Sequence, residues 1–459
     1  MKILYVLHKF LPRYFSGTEI YTFNLAKEME KRGHEVEIFC ADDVEKGEDY
    51  QINSQDDNYE GLKVHRINFN RKKAPDVVRF SYDNPVVAEH FRHFLSFNPP
   101  DLIHITSFLN LSAAIIDPIK ACSIPIVFTA TDFWSFCPKS TFLAFDGSLC
   151  KKPEREKCLS CIISLSPFYT ALFKKIGLSP FFMANAFSLV NKIPGLKNNP
   201  FIKGKQALEK RSDYLREKLR KLDLIITPTT FLQNFFLDAG ISPKKTLVSG
   251  FGLNADKRNP HIDRPLNSPI RFGYIGMLAE LKGVDILIKA FSRISYPNKA
   301  CLKIYGDRFH FPDYFQSLLK LSKNNPGISF EDTFPPEKLG EILAEVDVLM
   351  VPSIWYENTP LVVLEAMSAG VPVMASNVPG ISQVIKDQVN GILFPRGDEE
   401  ALAKCLDMVI EKPRFLSKLR RNPPSIKSMR ENGNELESIY NQLIKNRNNK
   451  IPQVESYGA

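Results

Sequence analysis

Apolar positions in the first part of the chain follow two rhythms. ILYVL (3–7), a short continuous apolar run, and VEIF (36–39), apolar but for Glu37, read as strands. Between them, after the loop HKFLPRYF, lies SGTEIYTFNLAKEMEKRG. Here Ile20, Phe23, Leu25, Ala26 and Met29 form a rough helical stripe that stops at Gly33. Ser16 with Glu19 three residues on is a capping-box pattern that places a helix start there. Strand, crossover helix and strand predict a parallel βαβ unit. Further strands are expected at DLIHIT (101–106), PIVFTA (125–130) and LIITP (224–228).

The second half is more regular. Six strand-like runs follow one another from Arg271 to Met408: RFGYIG, CLKIYG, GISFED, DVLMVPS, PVMAS and GILFP, with helical patterns between them. The fold class is therefore α/β, with two doubly wound Rossmann-like domains. The first spans 1–253 and the second 270–422. They are joined by the polar, Pro-rich linker 254–269 and followed by a C-terminal helix and tail at 423–459. Residues 162–222 fit neither domain pattern. An aromatic-rich piece there (Phe168, Tyr169, Phe173) runs into the basic stretch KGKQALEKRSDYLREKLRKL. Two readings are open: an ordinary insert with a solvated helix, or an amphipathic patch for the inner membrane surface.

Composition narrows the class. A chain of 459 residues, 44% hydrophobic and 24% charged, has room for two cores. Its net charge of +9 suits phosphate-bearing substrates or an anionic membrane surface, and no nucleic-acid partner is expected. The N-terminus reads as a first strand without a signal peptide. The uncharged run IGLSPFFMANAFSLVN (176–191) is short and carries Pro180, so no spanning helix is expected. A cytoplasmic location follows as an expectation, peripheral at the membrane face if the 162–222 patch binds lipid. The eight Cys are then thiols or metal ligands.

Candidate chemistry concentrates in VPSIWYENTPLVVLEAMSAGVP (351–372). The strand DVLMVPS should end at the ligand edge of its sheet, and Pro360 marks the start of a helix whose free N–H groups attract anions. Glu357 stands before that helix end and Glu365 about 7 Å further along its axis. A diphosphate at the N–H groups of residues 358 to 361 would leave each carboxylate facing hydroxyls on either side. In YIGMLAELKGVDILIKAF (274–291), Lys282 and Gly283 occupy a strand-to-helix loop, where a Lys supplies a point charge for phosphate. Gly17, at the start of the first helix, lets a ligand approach the backbone.

Cys137, Cys150, Cys158 and Cys161 fall within 25 residues and end in a Cys-x2-Cys pair. That is the ligand count of a structural zinc site. Unpaired thiols or a redox pair, and an iron–sulfur cluster, are the other readings.

Taken together, SGTEIYTFNLAKEMEKRGHEVEIF, PDLIHIT, TATDFW, DLIITPTTFLQNFF, GMLAELKGVDILIKAF, ENTPLVVLEAMSAGVPVMAS and NGILFPRGD resemble glycosyltransferase family 4. These are retaining nucleotide-sugar transferases with the GT-B fold, two Rossmann-like domains facing a central cleft. The resemblance implies that Glu357 and Lys282 are catalytic, with Glu357 toward the donor sugar and Lys282 on the leaving diphosphate. It places Gly17, Gly276, Asn358, Thr359, Pro360 and Leu361 with the phosphates and Glu365 on the ribose. It implies a nucleotide diphosphate sugar as donor, a glycan or lipid-linked acceptor, and no metal in the chemistry. It also puts the Cys-rich loop beside the acceptor face, so a zinc there would brace the loop.

Four places depart from the family pattern. The usual Arg after the phosphate-loop Gly is Met277, with Arg308 a candidate to replace it. The usual first-domain His is Thr131, before Asp132, with His104 another acceptor-side candidate. The usual double Gly begins at Ser16, and the double Gly and Glu usual further on are here Pro379, Gly380 and Gln383. The expectation is a retaining hexosyltransferase of polysaccharide or glycoconjugate biosynthesis. The alternative is a catalytically silent protein of the same fold that binds a nucleotide sugar or a glycan.

Overall fold

Each apolar run named above becomes a strand in one of two sheets. The computed structural model describes residues 1–45, 47–164, 200–254, 269–421 and 424–449. The chain divides into two units, Met1–Gly252 with the segment from Met429 onward, and Leu253–Ser428.

The first unit holds β1 (Lys2–Leu7), β2 (Glu35–Ala41), β3 (Asn53–Tyr59), β4 (Leu62–Asn68), β5 (Leu102–Ile105), β6 (Ile126–Thr129), β7 (Leu224–Thr227) and β8 (Thr246–Val248). They lie in the order β3-β4-β2-β1-β5-β6-β7-β8, parallel except for the β3–β4 hairpin. The apolar pattern does not predict β3 because its sequence, NSQDDNY, is polar throughout and exposed on the sheet edge. Its register is set by the turn, where Glu60 and Gly61 both take positive φ, as a two-residue hairpin requires. Helix α1 (Gly17–Lys31) has Ser16 as its N-cap, but the capping box is altered. The Ser16 hydroxyl donates to the buried Glu19 carboxylate and caps no backbone N–H.

Helix α2 (Arg155–Ser164) carries Cys158 and Cys161, and α3 (Pro200–Arg220) carries the basic stretch. One face of that stretch is packed, while Lys203, Lys210, Arg216 and Arg220 are exposed on the other. Arg211 and Lys218 are buried, and Lys218 and Lys221 both pair with Asp117, at 2.5 and 2.9 Å. The aromatic piece at 168–187 and linker residues 255–268 lie outside the described residues. Among the described residues no helix is long and apolar enough to cross a membrane.

The C-terminal helix Met429–Asn448, expected as a separate tail, belongs to the first unit. Tyr21 donates to Asn432 at 3.0 Å, Arg32 pairs with Glu437 at 2.8 Å, and the fully buried Tyr440 lies 3.4 Å from the Tyr5 hydroxyl. An amphipathic stripe shows that a helix has a partner. It does not show that the partner lies some 400 residues upstream.

The second unit holds β9 (Ile270–Ile275), β10 (Ala300–Tyr305), β11 (Ile328–Glu331), β12 (Val348–Val351), β13 (Val373–Ser376) and β14 (Ile392–Phe394). All are parallel, in the order β11-β10-β9-β12-β13-β14. This is the doubly wound order, with its switch point between β9 and β12. Both faces are covered. Val348 and Met350 join one apolar cluster while Leu349 and Val351 join the other, which is why β12 reads as an unbroken apolar run. Helix α4 (Val284–Phe291) follows β9 and α5 (Leu361–Ser368) follows β12.

Candidate functional site

The switch point of the second unit is built by two loops locked together through their backbones. After β9 the chain makes a helical turn at Glu280–Lys282, and Gly283 then starts α4 with φ 68°. A side chain at Gly283 would place its Cβ 2.1 Å from the Pro352 carbonyl oxygen, so this loop abuts the end of β12 only because the residue is Gly. The Ile354 N–H donates to the Leu281 carbonyl at 2.9 Å, and an Arg396 N–H donates to the Ile354 carbonyl at 2.8 Å. On the other side, a Cβ at Gly380 would lie 1.6 Å from the Glu357 carbonyl oxygen. The 352–357 segment is thus held between two glycines.

This clamp joins Lys282 to Glu357, residues 75 apart in sequence, at 2.8 Å. Glu357 is only 4% exposed. Its Oε1 also accepts from the Ser353 hydroxyl at 2.5 Å and the Trp355 indole N–H at 2.8 Å. The Lys282 ammonium sits 5.1 Å from the Trp355 ring centroid. Beneath them the buried Tyr274 donates to the Met277 carbonyl at 2.7 Å. Burial, and then the Glu357 charge, hold its phenol well above the ordinary range. A buried carboxylate next to an ammonium is suited to binding a polar ligand that carries both hydroxyls and negative charge.

Gly276, Asn358, Thr359, Pro360, Leu361 and Glu365 stand on the same two loops or on α5. Thr359 is buried in the left-handed region, at φ 59°, a strained setting for a β-branched residue. Pro360 is the N-cap of α5. It has no N–H, so it gives no donor to an anion, and the expected run of amides from 358 to 361 is interrupted there. Met277 is 39% exposed at the position expected to be Arg. Arg308 pairs with Asp332, both well exposed, so its charge is already matched.

In the first unit, Gly17, Thr131 and Asp132 stand at the C-terminal edge of the sheet, beside its switch point between β1 and β5. Thr131 donates to the Thr106 carbonyl at 2.7 Å and accepts from the Thr18 hydroxyl at 2.8 Å. The Asp132 carboxylate accepts from the Trp134 N–H and the Ser107 hydroxyl, and burial raises its carboxyl. His104 is different. It is fully buried inside β5, with one ring nitrogen on the Tyr440 hydroxyl and the other 2.7 Å from the Thr129 hydroxyl. Burial holds its pKa down to about 3. It is a core residue and not an acceptor-side group.

The four clustered cysteines are free thiols, as are the other four. Burial raises Cys150 and Cys161, and pushes Cys158 up to about 11. Among the described residues no group of three or more His, Cys, Asp or Glu side chains could hold a metal. Cys137, Cys150, Cys158 and Cys161 nonetheless lie within electrostatic reach of one another, because neighbouring cysteines add to burial in raising Cys150, Cys158 and Cys161.

Several site residues carry no sequence signal of their own. Ser353 reads as the last residue of the strand run DVLMVPS and Trp355 as a loop residue, and only their distance to Glu357 reveals them. His8, one residue past β1, lies 3.4 Å from Glu19. Its position just beyond a strand end was the available clue.

Residues 15–181 match the model of Glycosyltransferase Family 4, and residues 269–412 match that of Glycosyl transferases group 1. The amylovoran biosynthesis glycosyltransferase AmsK of Erwinia amylovora is 26% identical over 268 residues, 53% of this chain and 64% of that one. The chain thus spans less than two thirds of that relative's length. Among solved structures, sucrose-phosphate synthase of Thermosynechococcus elongatus aligns with a TM-score of 0.66 at 16% identity, covering 97% of this chain and 100% of that one. Anabaena HepE, solved in complex with UDP, aligns at 0.60 and 17% identity, covering 98% and 100%. These likenesses fix the fold as GT-B, and with both sheets matched by family models the chain belongs to glycosyltransferase family 4.

Proposed function

We propose that the protein is a retaining glycosyltransferase that moves a hexose from a nucleoside diphosphate sugar to a glycan or lipid-linked acceptor in polysaccharide or glycoconjugate assembly. The carrying observation is the Lys282–Glu357 pair at the β9/β12 switch point. The amylovoran relative and the UDP complex of Anabaena HepE are consistent with this substrate class. In the reaction the C1–O bond to the diphosphate breaks and the acceptor oxygen bonds C1 on the same face. The acceptor proton passes to the leaving phosphate oxygen. Lys282 stabilises the departing charge, Glu357 holds the sugar end, and Glu365 the ribose. No metal is required for the chemistry, so rates should be unchanged by chelation with EDTA.

The test is nucleoside diphosphate release across a panel of UDP-, GDP-, ADP- and dTDP-sugars, with product stereochemistry read by NMR. Glu357→Ala and Lys282→Ala should each lower turnover about 100-fold or more. An inverted product refutes retention. Tight binding of a nucleotide sugar without turnover would favour the silent binding protein, a reading supported by Met277 at the expected cation position. Failure to bind any member of the panel would sink both readings. For the basic and aromatic insert we propose contact with the cytoplasmic membrane face. Vesicle binding that survives its deletion would rule that out.

A further inference from the structure

Every hydrogen bond that the described residues give to Glu357 goes to one oxygen, Oε1: from Lys282, Ser353 and Trp355 at 2.8, 2.5 and 2.8 Å. Three donors on one oxygen fix both the side-chain torsion and the tilt of the carboxylate plane, and they direct Oε2 away from the anchor. Trp355 touches both charged partners in the orientation its ring favours. Its electropositive N–H edge meets the carboxylate, and its electronegative face lies under the Lys282 ammonium at 5.1 Å from the centroid. The loop carrying these donors cannot drift, because Gly283 abuts Pro352 and the Ile354 N–H is bonded to Leu281.

We infer that Trp355 and Ser353 are positioning residues: with Lys282 they anchor Oε1 of Glu357 so that Oε2 is presented to the sugar of the bound nucleotide sugar, while the indole face aims Lys282 at the diphosphate. This rests on the glycosyltransferase reading and adds to it two residues that act through Glu357 and Lys282. The two roles of Trp355 are separable. Trp355→Phe keeps a ring face for the cation and removes the N–H, whereas Trp355→Leu removes both.

The experiment is steady-state kinetics of donor turnover on the full chain. Trp355→Phe and Ser353→Ala should each lower kcat about tenfold with the donor KM within about threefold of native. Trp355→Leu should in addition raise the donor KM, and Ser353→Thr should restore most of the loss seen in Ser353→Ala. Added to Glu357→Gln, Trp355→Phe should cost less than about twofold more, because both changes act through one carboxylate. Turnover of Trp355→Phe within about twofold of native, or a fully multiplicative loss with Glu357→Gln, would overturn the inference. If Trp355→Phe fails to fold by circular dichroism, the Ser353 pair carries the same test. If the native chain turns over no donor, the glycosyltransferase reading fails by itself. The anchor is then read from the indole N–H resonance of Trp355, one of two tryptophans in the chain and assignable with Trp134→Phe. An upfield shift in Glu357→Ala supports the anchor, and an unmoved resonance refutes it.

Discussion

The two sheets place different chemistry at the same topological point. At the β9/β12 switch of the second unit stands a charged pair, the partly exposed Lys282 and the buried Glu357, bonded at 2.8 Å. At the β1/β5 switch of the first unit stand hydroxyls, Thr18, Thr106 and Thr131, with Asp132 and His8 beside them. Parallel strands diverging on either side of a switch open a crevice in both sheets. What the crevice does is set by the residues at the strand ends. The charged edge suits a phosphate-bearing donor. The hydroxyl edge suits a neutral, many-hydroxyl partner, and much of its bonding is internal.

This contrast can be broken at several depths. The largest effect is expected at the backbone clamp. Gly380→Ala puts a Cβ 1.6 Å from the Glu357 carbonyl oxygen, so the loop must move. The substitution should destabilise the second unit by about 3 kcal/mol and cut donor turnover about 100-fold, read by denaturant titration and kinetics. Gly250→Ala in the first unit, where a Cβ meets open space, is the control and should change stability by less than about 0.5 kcal/mol. Equal effects of the two would mean that the clamp positions nothing.

A smaller effect concerns His104, held neutral in the core of the first unit. Below about pH 6.5 the unfolded chain takes up a proton here that the native chain refuses until about pH 3. Stability therefore falls as pH drops through that window, at about 1.4 kcal/mol per pH unit from this residue alone, and the residue contributes no slope above it. His104→Gln should remove that part of the slope between pH 6 and 4 (roughly 2 kcal/mol over the interval) in chemical denaturation. Donor turnover measured above pH 7 should be little affected.

The smallest effect is expected at the hydroxyl edge. Thr131→Val loses one bond to Thr106 and one from Thr18, at 2.7 and 2.8 Å. It should cost about 1 kcal/mol of stability and less than about threefold in donor hydrolysis. A much larger loss of hydrolysis would make this edge part of the donor site and remove the contrast.

Much of this was legible in the sequence because it rests on local periodicity. All six strands of the second sheet follow apolar runs, and Gly283 and Pro360 mark helix starts through their backbone limits. The missed strand β3 shows where periodicity ends: a polar edge strand has no buried face to write into its sequence. The placement of the tail helix fails for another reason. Counting apolar positions along a chain says nothing about which surface they meet, and the helix joins a sheet that begins at Lys2.

By itself the sequence determined all six strands of the second sheet and five of the eight in the first, and it singled out Glu357, Glu365 and Lys282 beside the ends of β12 and β9. Those follow from patterns within a few dozen residues. Tertiary structure decided that Lys282 and Glu357 are one ion pair, that Trp355 and Ser353 share one of its oxygens, and that His104 is core. Each of these depends on contact between separate chain segments or on the direction of a side chain at a strand end, and both are fixed only when the sheet closes around its core.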